Sequence, residues 1–239
     1  MPLGQLYGIG VGPGDPELLT RKAYRILQDV KVIFTPQGKG GREGIALSII
    51  KELIPPSSQV ISLHLPMTQN KELLEKSWQE GAAQIYEVLQ EQNCAFVTIG
   101  DCLLYSTYSY LIAALRSIDK TVQIESIPGI TSFAAAASAA NVALAEGTEP
   151  LLIVPALGET EKLRSYLKSF PNLVLMKGAS SFEQIYKILE EEGRLSSSYY
   201  ISRCGLSGEV IQKDLRLLQG QELDYLSLLL VKKGGLPVD

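Results

Sequence analysis

Tyr7-Gly8-Ile9-Gly10-Val11-Gly12-Pro13-Gly14-Asp15-Pro16 is the stretch whose reading decides the fold of this 239-residue chain. Residues 6–11 form an apolar run that opens into glycines, the pattern of a buried strand feeding a turn. Two further stretches repeat it. Gly100-Asp101-Cys102-Leu103-Leu104-Tyr105-Ser106-Thr107 follows the apolar residues 95–99, and Pro128-Gly129-Ile130-Thr131-Ser132 follows residues 122–127. Open α/β sheets bind ligands at the loops that leave their strands. Backbone rich in glycine can approach a ligand closely. Three such loops predict one site assembled from distant segments, which marks an enzyme or a small-molecule binder.

Working outward, short apolar runs alternate with longer stretches of helical period. Strands are expected at residues 6–11, 32–35, 60–63, 95–99, 122–127, 151–154, 173–176, 199–202 and 226–231. Helices are expected at 16–29, 44–53, 70–91, 108–118, 132–140, 159–169 and 181–191. In the first helix Leu19, Ala23, Ile26, Leu27 and Val30 share one face, with Asp15 as cap and Pro16 in the first turn. The alternation predicts an α/β fold with mostly parallel sheets and helices on their faces. A polar seam at residues 117–120 divides the chain into two α/β domains, residues 1–118 and 119–239. Residues 235–239 are expected to fray.

Composition bounds the function. Hydrophobic residues make up 46% and charged residues 20%, the make-up of a packed globular protein. Lys and Arg number 22 against 26 Asp and Glu, a net charge of −4 with no basic stripe. That argues against a nucleic-acid partner. Cys94, Cys102 and Cys204 are odd in number and far apart, as expected of reduced thiols in a cytoplasmic protein. His64 is the single histidine, so a His/Cys metal site is not expected. No signal peptide is read at Met1-Pro2-Leu3-Gly4-Gln5, and no apolar run approaches the ~20 residues of a membrane span.

The first loop fails the dinucleotide pattern. From Gly8 the third glycine falls on Pro13, and from Gly10 on Asp15. A proline there removes a phosphate-facing N–H, and the Gly-Lys-Ser/Thr phosphate loop is absent. Asp15 has two readings, a helix cap and a carboxylate placed to accept a proton. Asp101 reads as a ligand for an amine or a positive charge, or as another cap beside Ser106 and Thr107. Thr131 and Ser132 read as caps, with loop N–H groups able to hold a ligand. Gln37-Gly38-Lys39-Gly40-Gly41-Arg42-Glu43 is either a solvated loop or a cationic clamp for an acidic substrate through Lys39 and Arg42. Lys177 and Arg203, at the ends of expected strands, are either site residues or surface charges.

Together these segments resemble the tetrapyrrole methylases, the methyltransferases of cobalamin, siroheme and related pathways. The opening stretch through Glu17-Leu18-Leu19-Thr20 looks like that family's first signature, and Gly100-Asp101 with Tyr105-Ser106-Thr107 its second, with Cys102 where the family usually has proline. The run Ser126-Ile127-Pro128-Gly129-Ile130-Thr131-Ser132, followed by Leu144-Ala145-Glu146-Gly147 and Leu152-Ile153-Val154-Pro155-Ala156, is most similar to the precorrin-2 C-20 branch. The resemblance implies two α/β domains with the active site in the cleft between them, a homodimer, and S-adenosylmethionine as methyl donor. It implies donor contacts at Pro13, Asp101, Leu104, Thr131, Ser132 and Met176, a backbone contact near Cys204, and Asp15 as a base. The implied substrate is precorrin-2 or cobalt-factor II, a polycarboxylate that Lys39 and Arg42 would meet. Alternatives are methylation at another ring carbon or a non-catalytic tetrapyrrole carrier. Gly100-Asp101 and Thr131-Ser132 speak against a carrier, which needs no methyl donor.

Overall fold

The computed structural model describes residues 3–155 and 160–233, with the side chains of residues 39, 160 and 161 outside that set. The expected start of a helix at residue 159 and the fraying of residues 235–239 lie outside the described residues. The chain divides into two compact units, Met1–Thr131 and Ser132–Asp239.

The first unit is built on β1 (Gln5–Gly10), β2 (Val32–Pro36), β3 (Gln59–Leu63), β4 (Cys94–Thr98) and β5 (Gln123–Ile127). Their order is β3-β2-β4-β1-β5, and every pairing is parallel. All five residues of β4 are buried, as a central strand covered on both faces requires. The crossovers are α1 (Arg21–Asp29), α2 (Ile45–Ile50), α3 (Lys71–Leu89) and α4 (Tyr108–Ile118). The first two step towards β3 and the last two step back. Right-handed crossovers therefore put α1 and α2 on one face and α3 and α4 on the other. Ala82, Ile85 and Leu89 of α3 accordingly pack with Leu111 and Leu115 of α4 over Leu6, Phe34 and Phe96.

Two sequence expectations are corrected in this unit. The single helix at 16–29 is two pieces. Asp15 caps a short 3-10 turn, Pro16–Leu18, through the Glu17 N–H. Thr20 then caps α1 through the Ala23 N–H at 3.2 Å. Two capping side chains five residues apart start two helices, and periodicity alone does not register the break. The seam at residues 117–120 is only the turn between α4 and β5. Because β5 pairs with β1, the boundary falls after Thr131 and not after residue 118.

The second unit contains α5 (Ser132–Ala140), β6 (Leu151–Pro155), α6 (Thr160–Ser169), β7 (Asn172–Met176), α7 (Phe182–Glu191), β8 (Ser198–Ser202), β9 (Val210–Gln212) and β10 (Ser227–Val231). The sheet order is β6-β7-β10-β8-β9. The expectation of a mostly parallel sheet does not hold here: only β6 and β7 pair in parallel, and β10 runs antiparallel to β7 and β8. The physical reason is the missing crossover helix. After β8 the chain turns back directly into β9, unforeseen in the sequence, and returns as β10 between β7 and β8. Side chains alternate strictly. Leu173, Leu175, Tyr200, Leu229 and Val231 face α6 and α7, while Val174, Tyr199, Ile201, Leu228 and Leu230 pack with Ala136 and Ala137 of α5. The small side chains of α5 let it lie close on that sheet face.

Candidate active site

A wholly parallel sheet sends every strand's carboxyl end to one edge, so the loops after β1, β4 and β5 emerge together. Register sharpens this: Gly10 lies opposite Thr98, and Ile9 opposite Ile127. The three glycine loops are then stitched to one another. Gly12 and Gly100 exchange backbone hydrogen bonds, at 3.2 Å from the Gly12 N–H and 2.7 Å from the Gly100 N–H. The Gly129 N–H donates to Asp101 Oδ2 at 3.0 Å. A Cβ on Gly129 would sit 2.1 Å from the Gly100 carbonyl oxygen, and one on Gly10 would sit 2.7 Å from the Gly129 nitrogen. Only glycine permits that approach.

Asp101 therefore works twice within the fold. Its Oδ1 accepts the Leu103 N–H at 2.9 Å, and its Oδ2 holds the third loop. Cys102 is buried, and its thiol donates to the Ile127 carbonyl at 3.3 Å. Burial pushes that thiol up to about 11. Thr107 is the N-cap of α4 but its side chain makes no capping bond; Ser106 Oγ, one residue earlier, accepts the Tyr108 N–H at 3.2 Å. Tyr108 lies beneath, stacked on Phe96 at 5.7 Å between ring centres. Its hydroxyl accepts from Ser126 Oγ at 3.3 Å, and burial raises it to about 12. Its ring occupies the space a side chain on Gly8 would need.

Pro13 is buried on the first loop, while Leu104 and Thr131 are half-buried on the second and third. Asp15 is half-buried, and its cap to Glu17 at 2.9 Å realises the plainer of its two readings. The loop containing Lys39 and Arg42 follows β2 and so leaves the same edge. It closes on itself through the Gly38 N–H and the Arg42 carbonyl at 2.9 Å, with Arg42 exposed. The Lys39 side chain lies outside the described residues. His64 follows β3 and meets Gln37 Oε1 at 3.3 Å through Nδ1.

In the second unit Met176 ends β7, and Cys204 lies two residues past β8. Both pack on the sheet face that α5 covers, the helix Ser132 begins. Lys177 and Arg203 follow those strands at φ 59° and 52°, a left-handed conformation costly for side chains without a short polar group. The Arg203 guanidinium is engaged by the Ser207 carbonyl and Asp224. Burial lifts the Cys204 thiol to about 11, with the Glu209 carboxylate adding to the effect.

Two features escaped the sequence reading. The tie from Asp101 to Gly129 spans 28 residues, and neither type nor spacing announces it. The pairing of the Cys102 thiol with Ile127 also has no local signal. The chemistry of the edge is nevertheless clear. The three loops carry two carboxylates, Asp15 and Asp101, and no basic residue. That donor set disfavours a phosphate and suits a cationic nucleoside held by backbone, carboxylate and apolar side chains.

An edge of this kind, at the carboxyl ends of parallel strands, is where proteins of the α/β class bind small molecules. Residues 5–216 match the family described as Tetrapyrrole (Corrin/Porphyrin) Methylases. The chain belongs to that family, and it is an S-adenosylmethionine-dependent C-methyltransferase. It is 33% identical over 232 residues to the cobalt-precorrin-2 C(20)-methyltransferase of Salmonella typhimurium, covering 96% of this chain and 97% of the relative. It is 34% identical over 231 residues to the probable cobalt-precorrin-2 C(20)-methyltransferase of Methanocaldococcus jannaschii, covering 96% of each. Among solved structures the fold is shared with a cobalt precorrin-4 methyltransferase at TM-score 0.71 and 22% identity, covering 95% of this chain and 94% of that one. It is also shared with uroporphyrin-III C-methyl transferase from Thermus thermophilus complexed with S-adenosyl homocysteine, at TM-score 0.65 and 22% identity, covering 96% and 98%.

Proposed function

We propose that this protein adds a methyl group at C-20 of precorrin-2 or its cobalt-bearing counterpart in corrin-ring synthesis. The observation that carries the reading is end-to-end identity of 33–34% with relatives named for that reaction, over nearly equal chain lengths. We assign the donor contacts to Pro13, Asp101, Leu104, Thr131, Ser132, Met176 and Cys204. Lys39 and Arg42 are assigned to the substrate carboxylates. The protein works as a cytoplasmic homodimer, a reading whose dimer part is checked by light scattering on the eluting peak. No helix among the described residues is long and apolar enough to cross a membrane.

When bound, S-adenosylmethionine supplies a methyl already activated by its sulfonium. The chain's own contribution is placement and exclusion of water. Orienting two reactants is worth ~7–11 kcal/mol in favourable cases. One acid–base group gives a rate factor of ~10²–10⁴. Residues that hold the donor therefore outrank Asp15, whose Oδ2 is the atom assigned to take a proton while Oδ1 keeps the helix cap.

The test is parallel incubation with S-adenosylmethionine and either precorrin-2 or cobalt-factor II, followed by mass and carbon-13 NMR analysis. One added methyl at C-20 is the expected product. A methyl on another ring carbon overturns the regiochemistry. Titration with S-adenosylhomocysteine by calorimetry separates an enzyme from a carrier, which would show no heat of binding.

A further inference from the structure

We propose that the Cys102 thiol is a positioning residue for the methyl-donor site, pinning the third glycine loop to the second so that Gly129 and Thr131 are held in register. The inference rests on the donor reading above and adds a residue that reading does not use.

The geometry is specific. Asp101 and Cys102 are consecutive and reach the same short segment from two sides. Asp101 Oδ2 takes the Gly129 N–H at 3.0 Å, and the Cys102 thiol donates to the Ile127 carbonyl at 3.3 Å. Between those anchors stands Pro128, which has no N–H to offer and a fixed φ. The segment is thus held at its carbonyl and at its amide. Gly129 in turn abuts Gly10 and Gly100, so a shift at Ile127 propagates to all three loops. Thr131, assigned to the donor, lies two residues beyond the pinned amide.

A thiol is a weak hydrogen-bond donor, so its loss takes little from global stability. Its leverage is positional, because misplacement of ~1 Å at a reacting centre can cost on the order of 10²-fold. Donor affinity and thermal stability are therefore expected to respond unequally. Cys102→Ala removes the pin, and Cys102→Ser restores a donor at the same place. For Cys102→Ala we expect a roughly tenfold rise in the Kd for S-adenosylhomocysteine, and for Cys102→Ser a value within about threefold of wild type. Both apo proteins should melt within a few degrees of wild type. Affinity unchanged by Cys102→Ala, or Cys102→Ser as weak as Cys102→Ala, overturns the proposal.

A second measurement needs no variant. Thiol labelling of the wild type, resolved by peptide mapping, compares Cys102 with Cys94, which is buried in the core of the same unit. Saturating S-adenosylhomocysteine should slow labelling at Cys102 more than at Cys94. Equal slowing at both reports only global stabilisation and overturns the proposal. A wild type that does not bind S-adenosylhomocysteine refutes the donor reading itself, whereas binding without these differences refutes the Cys102 inference alone.

Discussion

At the scale of single residues, the site depends on atoms that are missing as much as on those present. Gly129→Ala would place a methyl 2.1 Å from the Gly100 carbonyl oxygen, a backbone atom that cannot rotate away. We expect a loss of about 2–4 kcal/mol in stability, of the order seen for severe overpacking, measured by urea unfolding, with donor binding lost in parallel. Asp15 allows a cleaner dissection, because asparagine caps helices as well as aspartate does. Asp15→Asn should leave the melting temperature unchanged and lower kcat by no more than about tenfold, below the range of an essential acid–base group. Abolished turnover at unchanged donor affinity would place Asp15 at the centre of the chemistry. The glycines were legible because their spacing relative to apolar runs is a local pattern. The partners of Asp101 and Cys102 were not, because each bond joins residues 25 or more positions apart.

At the scale of elements, helices followed their sequence period where caps were unambiguous. Asn70 accepts the Leu73 N–H and starts α3 one residue after the expected position. One element is held by a residue that no motif singled out. Arg194, buried at 8% exposure, donates to the carbonyls of Leu167 at 2.7 Å and Pro171 at 3.3 Å at the end of α6. Arg194→Leu would strand those acceptors at a cost of about 1–3 kcal/mol, visible as a lower melting temperature. Arg194→Lys should recover only part, since an ammonium cannot reproduce the planar fork. The loop between β2 and α2 gives a prediction about substrate. Alanine at both Lys39 and Arg42 should raise the substrate KM steeply at low salt and less at high salt, because attraction between charges across water is screened over about 10 Å at 0.1 M. A KM insensitive to both changes would remove the clamp.

At the scale of the whole molecule, each unit carries its own core. Acid should weaken the protein through carboxylates held below their ordinary range. Asn172 does this for Glu149, Arg164 for Glu191, Arg216 for Asp214, and Thr121 for Asp119. A group depressed in the folded state adds stability above its unfolded value, near 4, and loses it as pH falls through the folded value. The melting temperature should hold from pH 7 to about 5 and then decline, and Glu149→Gln should shallow that decline. The α/β class, the glycine loops and the family were all determined by the sequence alone, because each is written in local period, local turn chemistry and ordered motifs. Tertiary structure alone decided that β5 belongs to the first sheet, that β10 enters the second antiparallel, and that Asp101 and Cys102 tie the loops together. Pairing direction and long-range bonds are set by which faces remain to be buried once the chain has collapsed, and no window of neighbouring residues contains that information.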